Sequence, residues 1–96
     1  MQINIQSKAE QDLIDIWLYT FSEWGESQAD KYLDEIDKGL NLIYGNPEIG
    51  LDYSFIRQGY RRLVIGHHLI FYKRNNQNTI DIIRVLHESM DVSDNL

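Results

Sequence analysis

The spacing of apolar residues changes once along the chain, and this change restricts the folds that the chain can adopt. Before residue 46 the apolar residues recur at steps of three and four, which predicts amphipathic helices. From Tyr60 onward they form short runs rich in Ile, Val, Leu, Phe and Tyr, which predicts strands. A helical part followed by a strand part is typical of an α+β domain.

The helical part divides into two helices with a very short connection. Ser7 and Glu10 match a capping box, which predicts the start of the first helix. We expect Gly25 to end this helix as a left-handed cap and Ser27 to cap the next one, which Gly45 and the following Asn-Pro then close. The predicted inward stripe of the first helix comprises Ala9, Leu13, Ile16, Trp17, Phe21 and Trp24.

The strand part predicts a three-stranded antiparallel meander over residues 60–65, 69–73 and 79–87. Residues 2–6 alternate polar and apolar and can add a fourth strand. We therefore predict an N-terminal strand and an antiparallel helical hairpin packed on an antiparallel three- to four-stranded sheet. Residues 48–58 are expected to be a surface connection that carries an exposed arginine, and residues 88–96 to be loose.

Length and composition exclude several classes of protein. The 96 residues fit one domain over residues 1–96, because separate cofactor and substrate domains need a longer chain. With no cysteine, the chain has no disulfide, thiolate nucleophile or thiolate metal site. No apolar run approaches the roughly 18 residues that span a bilayer, and the N-terminus lacks a signal-peptide pattern. We expect a cytoplasmic protein with no membrane association.

Charge is distributed unevenly along the chain. The net charge of -6 argues against binding nucleic acid over the whole surface. Residues 1–45 hold three lysines and nine acidic residues, whereas residues 57–87 hold six basic residues against Asp81 alone. A locally basic surface is therefore predicted on the sheet.

The order of predicted elements and a set of local motifs resemble the ParE toxins of the RelE/ParE superfamily of bacterial toxin-antitoxin systems. The resemblance covers essentially the whole chain. The motifs that carry it are residues 9–13, 16–19, 24–32, 46–47, 59–62, 68–73 and 80–91, together with Gly50. It implies a toxin that poisons DNA gyrase by binding it rather than by enzymatic chemistry, and that a ParD-like antitoxin neutralises by wrapping a flexible C-terminal segment around it. It also implies a hetero-oligomer with the antitoxin, contact with DNA only through the antitoxin or gyrase, and no cofactor.

Two sets of residues are candidates for these contacts. The basic segment predicts a gyrase-binding surface, whose candidates are Arg57, Arg61, Arg62, Lys73, Arg84, His87 and Met90. Apolar surface at the margin of the sheet, together with two arginines for antitoxin carboxylates, predicts the antitoxin-binding candidates Trp17, Phe21, Trp24, Tyr32, Arg61, Arg62 and Tyr72. Because adjacent side chains in a strand point to opposite faces, we expect no metal site at His67 and His68.

Two alternatives remain open. The first is a ribosome-dependent mRNA endonuclease of the RelE type, in which Arg61, Arg84 and His87 would activate the 2'-hydroxyl and stabilise the phosphate. Against it, no tyrosine follows Tyr72, whereas RelE-like nucleases usually carry basic residues and a tyrosine near the C-terminus. The second is a degenerate, non-toxic relative that persists only as an antitoxin partner.

Overall fold

The computed structural model describes residues 2–75 and 78–96, which form one sheet and three helices. No helix in these ranges is long and apolar enough to cross a membrane. The centre of the second predicted hairpin turn, Asn76 and Gln77, lies outside the described residues. In chain order the elements are β1 (Gln2–Ile5), α1 (Ser7–Trp24), α2 (Glu26–Gly45), β2 (Leu51–Asp52), β3 (Tyr60–Ile65), β4 (His68–Arg74), β5 (Thr79–His87) and α3 (Val92–Asn95).

The sheet has five strands in the order β1-β5-β4-β3-β2. The predicted meander is confirmed, because β3, β4 and β5 are antiparallel neighbours within a residue of the predicted bounds. The predicted number of strands is wrong. The two-residue β2 lies in the segment expected to be a loop and pairs with Arg61 and Arg62. The sheet is also mixed, since β1 runs parallel to β5 at the other edge, with Ile3 opposite Ile80.

The helical hairpin is confirmed, but its ends differ from the prediction. Ser7 is the first helical residue of α1 and makes no capping hydrogen bond, because Gln6 occupies the N-cap position. A single residue, Gly25, joins the helices, so α2 begins before the predicted Ser27 cap. Gly25 has a φ of +90°, a conformation that favours glycine. Gly45 is the last helical residue of α2 rather than a left-handed cap.

The two helices cover one face of the sheet, called here the helix face. Apolar side chains of both helices pack there against β4 and β5. The buried residues of this core include Ile16, Ile36, Leu40, Ile43, Ile70, Tyr72, Ile80, Ile82 and Val85. The layers approach closely at Gly39 of α2, where a Cβ atom would lie 2.6 Å from Cγ1 of Ile65. Glycine at this position lets α2 approach β3.

The opposite face of the sheet, called here the second face, is covered by the C-terminal tail. Leu69, Phe71 and Leu86 are buried there, and Val92 and Leu96 pack against them. The expectation of a loose tail is therefore wrong. The reason lies in β4, whose residues 69–72 are all buried, so that alternate side chains point to two apolar faces that both need cover.

Candidate functional site

A groove of about 940 Å³ lies where the hairpin of α1 and α2 meets the end of the sheet at which β4 begins and β5 ends. It is open to solvent and mostly apolar. The lining residues come from both helices and from the strand ends: Asp12, Asp15, Ile16, Tyr19, Thr20, Trp24, Gln28, Tyr32, His67, His68, Val85, His87, Ser89 and Met90. Size and lining are those expected of a binding site for a ligand or peptide segment.

The floor of the groove is held by a hydrogen bond between a helix and the sheet. The Tyr32 hydroxyl of α2 accepts from the His67 backbone N–H at 3.2 Å and lies 2.5 Å from Nδ1 of His68. We assign the hydroxyl as donor to Nδ1, because a tyrosine hydroxyl can donate its one hydrogen while its oxygen accepts the backbone N–H, and a neutral imidazole offers one ring nitrogen as acceptor. His68 is then the neutral tautomer that carries its proton on Nε2.

Burial supports this neutral form of His68. Desolvation, followed by the nearby charges of His87 and His67, lowers the pKa of His68 from 6.5 to about 4. Burial also raises the pKa of the Tyr32 hydroxyl above its ordinary value of 10.0. Both groups are therefore uncharged at neutral pH, and the groove floor is a neutral polar surface.

Three imidazole rings meet at the sheet end of the groove. The rings of His68 and His87 are 5.2 Å apart and those of His67 and His87 are 6.4 Å apart. Nδ1 of His67 lies 2.7 Å from a Glu88 carboxylate oxygen, and Nδ1 of His87 lies 2.7 Å from the Ser89 hydroxyl. Among the residues that the structure describes, no group of three or more His, Asp or Glu side chains could hold a metal ion.

The mouth of the groove is aromatic. Tyr19 and Trp24 lie near the end of α1 with their rings 6.3 Å apart in an edge-to-face arrangement, and they are 62% and 66% exposed. Met90 lies on the opposite rim and is also exposed. Large apolar side chains with this much exposure mark an interaction surface rather than a core.

The predicted inward stripe of α1 is therefore wrong at its C-terminal end. Trp17 is half-buried and stacks on the exposed Phe21 at 5.1 Å on the outer side of the hairpin. The Trp17 indole N–H donates to Asp30 at 2.9 Å, which fixes the ring across the two helices. Of the antitoxin candidates, Trp24 and Tyr32 share the groove, whereas Trp17 and Phe21 do not line it.

Arg61 and Arg62 point to opposite faces of the sheet, as strand alternation predicts. Arg61 donates to the Gly50 carbonyl at 2.7 Å. Arg62 stacks over the Tyr53 ring at 4.8 Å and donates to its hydroxyl at 2.7 Å. Both arginines brace the segment between α2 and β3 and lie away from the groove lining.

Tyr72 is unsuited to the antitoxin contact predicted for it, because its side chain is fully buried. Its hydroxyl accepts from the Gly50 N–H at 2.8 Å and donates to the Pro47 carbonyl at 2.9 Å. Burial raises the pKa of this hydroxyl. Tyr72 therefore holds the chain after α2 against the sheet.

Arg84 forms a two-pronged ion pair with Asp12 of α1, with distances of 2.7 and 2.8 Å. Asp12 also accepts the Val85 backbone N–H at 2.9 Å, at the edge of β5 beyond the end of β1. Hydrogen bonding to Asp12 raises the pKa of Arg84. This predicted gyrase contact is therefore largely engaged within the fold.

The other gyrase candidates separate into two regions. Arg57 is exposed beside the tail and donates to the Leu96 carbonyl at 3.1 Å. The Lys73 ammonium lies 6.0 Å from the centre of the Tyr60 ring, on the second face. His87 and Met90 instead line the groove. These four candidates of the predicted basic surface therefore lie on two surfaces. His87 and Met90 belong to the groove, whereas the cations Arg57 and Lys73 belong to the second face.

The residues of the nuclease alternative are not brought together. Arg61 and Ile65 are four residues apart on β3, and Ile65 is the residue level with His68 and His87 across the sheet. Arg61 is therefore roughly 13 Å from His87 along the strand direction alone. Arg84 is paired with Asp12. These three side chains do not form one phosphate site.

Several residues of the groove and its surroundings were not predicted. Tyr19 and Asp12 lie outside the predicted inward stripe of α1, and His68 enters the predictions only at a position where no metal site is expected. Phe55, on the loop before β3, is 75% exposed and is not among the predicted site residues. The sequence signal for Phe55 is an aromatic residue within a segment predicted to lie at the surface, and this signal does not show whether the ring is supported by the fold.

The sequence and fold were compared with known proteins. Residues 3–92 match the family described as "ParE toxin of type II toxin-antitoxin system, parDE". The chain is 43% identical over 88 residues to Toxin ParE1 of Mycobacterium tuberculosis, with 92% of this chain and 90% of the relative covered. It is 38% identical over 87 residues to Toxin ParE1 of Caulobacter vibrioides, covering 91% and 88%. A chain of the structure titled "Chromosomal ParDE TA system from P. aeruginosa" has the same fold, with a TM-score of 0.79, 19% identity, and coverage of 91% of this chain and 95% of that one.

Proposed function

The chain belongs to the ParE toxin family of type II toxin-antitoxin systems, and from this premise we propose that it inhibits DNA gyrase and is neutralised by a ParD-like antitoxin. The observation that carries the proposal is the match of residues 3–92 to that family. The toxin acts in the cytoplasm, where gyrase works, and it blocks supercoiling or traps gyrase on cleaved DNA.

The toxin acts by binding rather than by breaking bonds itself. General acid-base cleavage needs a proton acceptor, a proton donor and a cation within reach of one phosphate. The cations considered for that role are separated from the groove histidines or paired with a carboxylate. We therefore favour interference with another enzyme over the RelE-type nuclease.

The groove is the place we propose for the antitoxin. It is large, mostly apolar and bordered by the exposed rings of Tyr19 and Trp24. A flexible segment that orders on binding can bury these side chains and satisfy the polar floor around His68.

The decisive test is a plasmid assay with purified gyrase and ATP. We expect the chain to reduce supercoiling or to accumulate protein-linked linear DNA, with a quinolone as the positive control for cleavage. Folded protein that leaves gyrase unaffected at large molar excess would reject the gyrase proposal. Cut mRNA ends mapped during expression would then support the nuclease, and normal growth would support a non-toxic relative.

The antitoxin proposal has a separate test. The protein encoded beside this chain is co-expressed with it, and the complex is purified and added to the gyrase assay. We expect gyrase to stay active because the antitoxin covers or distorts the toxin surface. Inhibition by a stable complex equal to that of the toxin alone would contradict neutralisation.

A further inference from the structure

The loop between β2 and β3 presents an aromatic side chain that the fold does not use. Phe55 is 75% exposed, the highest value among the exposed large apolar side chains of the described residues. Leaving an aromatic ring in water forgoes roughly 2 kcal/mol of hydrophobic stabilisation. We define the Phe55 knob as Tyr53, Phe55 and Arg57.

The ring of Phe55 is supported from below. It packs on the Tyr53 ring at 4.7 Å, and Tyr53 in turn packs edge-to-face on the buried Phe71 at 5.6 Å. The Arg62 guanidinium lies over Tyr53 and bonds its hydroxyl. A chain of aromatic contacts therefore connects the exposed ring to the core of the second face.

Backbone hydrogen bonds close the loop around this support. The Tyr53 N–H donates to the Tyr60 carbonyl at 2.8 Å, and the Ile56 N–H donates to the Tyr53 carbonyl at 3.0 Å. The Asp52 carboxylate accepts the Ser54 N–H at 2.8 Å. Because the loop is ordered before binding, a partner need not supply the free energy to order it.

Two arginines belong to this loop and its support. Arg57 is two residues from Phe55 in sequence and donates to the Leu96 carbonyl, and the Arg62 guanidinium lies over the Tyr53 ring. Aromatic and arginine side chains together are the composition of binding hot spots. The matching partner surface is an apolar pocket with carboxylates at its rim.

We infer that Phe55 is the anchor with which this chain binds gyrase, and that the knob inserts into an acid-rimmed pocket of that enzyme. This inference rests on the proposed function. A knob needs a preformed pocket, which a folded enzyme offers and a flexible antitoxin segment does not.

The knob also lies on the second face near the start of β3, whereas the groove lies on the helix face at the other end of that strand. The gyrase contact and the antitoxin groove are therefore separate surfaces.

The test compares Phe55→Ala with Leu42→Ala in the full chain. Leu42 is 51% exposed on α2 and belongs neither to the groove lining nor to the knob, so it controls for the loss of an exposed apolar side chain. Half-inhibition of gyrase supercoiling should require about 30-fold more Phe55→Ala protein. Leu42→Ala should stay within about twofold of the wild type, and Phe55→Tyr should retain most of the inhibition because it keeps the ring.

Unfolding midpoints and antitoxin affinity are measured for the same variants. Both should match the wild type, because Phe55 is exposed and distant from the groove. Unchanged gyrase inhibition by Phe55→Ala, beside an active wild type, overturns the inference and leaves the proposed function intact. Weakened antitoxin binding with normal gyrase inhibition also overturns it and reassigns the knob to the antitoxin. A wild type that does not inhibit gyrase overturns both.

Discussion

The groove and the Phe55 knob both expose aromatic side chains, but they hold them differently. Tyr19 and Trp24 lie in the last turns of α1 and contact each other edge-to-face at the groove mouth. Phe55 rests on Tyr53, which is fastened to the core and to an arginine. The first arrangement suits a segment that adapts as it orders, and the second suits a rigid pocket. In our proposal the groove takes the antitoxin and the knob takes the target, so that one small domain binds two partners by different physical means.

The largest expected effect concerns the ion pair between Asp12 and Arg84. This pair sets the position of α1, which forms one wall of the groove. Replacing Asp12 by Ala leaves Arg84 without its carboxylate and the Val85 N–H without its acceptor. Because the pair is mostly buried, the free energy of unfolding should fall by about 3–5 kcal/mol in urea titrations. Asp34→Ala, on the exposed side of α2, is the control and should change it by less than about 0.5 kcal/mol. A loss below about 1 kcal/mol for Asp12→Ala would show that this ion pair does not hold the helix.

The next effect separates the groove from the knob through antitoxin binding. Trp24→Ala should weaken antitoxin affinity about 100-fold, because Trp is the side chain most often found at binding hot spots. Its unfolding midpoint should stay near that of the wild type, since the indole is exposed. Titration calorimetry with the purified antitoxin measures the affinity. If Phe55→Ala weakens the complex as much as Trp24→Ala does, the two surfaces are not separate.

A smaller effect tests the neutral floor of the groove. The pKa of His68 is about 4 in the folded protein and 6.5 ordinarily, so the unfolded chain binds a proton first as the pH falls. Stability contributed by the neutral ring is complete above pH 6.5 and is lost as the pH falls from 6.5 to 4. Between pH 7 and pH 5 the loss should be about 1–2 kcal/mol.

A variant pair isolates the contribution of this histidine from other acid-sensitive groups. His68→Gln cannot take up the proton, so its stability should decline less between pH 7 and pH 5 than that of the wild type. His67→Gln, whose side chain is exposed, should retain most of the decline, because desolvation rather than the charge of His67 is the largest cause of the lowered pKa of His68. Equal pH dependence in His68→Gln and the wild type would contradict the assignment.

The smallest effect concerns the tail that covers the second face. Val92→Ala removes two methyl groups from a half-buried contact with the apolar residues of the second face. The free energy of unfolding should fall by about 1 kcal/mol. Equilibrium denaturation in urea measures it, and NMR relaxation of residues 92–96 should show order in the wild type. A change below about 0.3 kcal/mol together with a mobile tail would show that the tail does not cover the second face.

Local patterns predicted the helices and the three central strands, because periodicity reports which face of an element is buried. The features that were predicted wrongly depend on contacts between residues far apart in the sequence. The predicted inward stripe of α1 runs through Trp24, but the Trp24 side chain is 66% exposed in the structure. Arg84 is predicted as a surface cation because its carboxylate partner is 72 residues away. The tail is predicted to be loose because the apolar second face becomes apparent only when β4 is placed inside the sheet.

The residues of the candidate site show that a sequence pattern does not separate a side chain in the core from one in a groove. Trp24 and Tyr32 were predicted and do share the groove, whereas Tyr72 was predicted as a contact and is buried. Aromatic residues in strands and helices give the same pattern whether they face a core or a cleft. Phe55 required knowledge of the loop conformation, since exposure alone does not distinguish a disordered aromatic residue from a supported one.

The parallel pairing of β1 with β5 has a consequence for how the molecule is made. Asn4 and Asp81, which bond across these strands, are 77 residues apart in sequence. A ribosome must therefore synthesise nearly the whole chain before the first strand finds its neighbour, and closing so long a loop slows folding. The nascent polypeptide can form the hairpin early but has no complete sheet beneath it. The complete sheet therefore forms only after residues 79–82 have been made, and an antitoxin present at that time can meet the toxin as it folds.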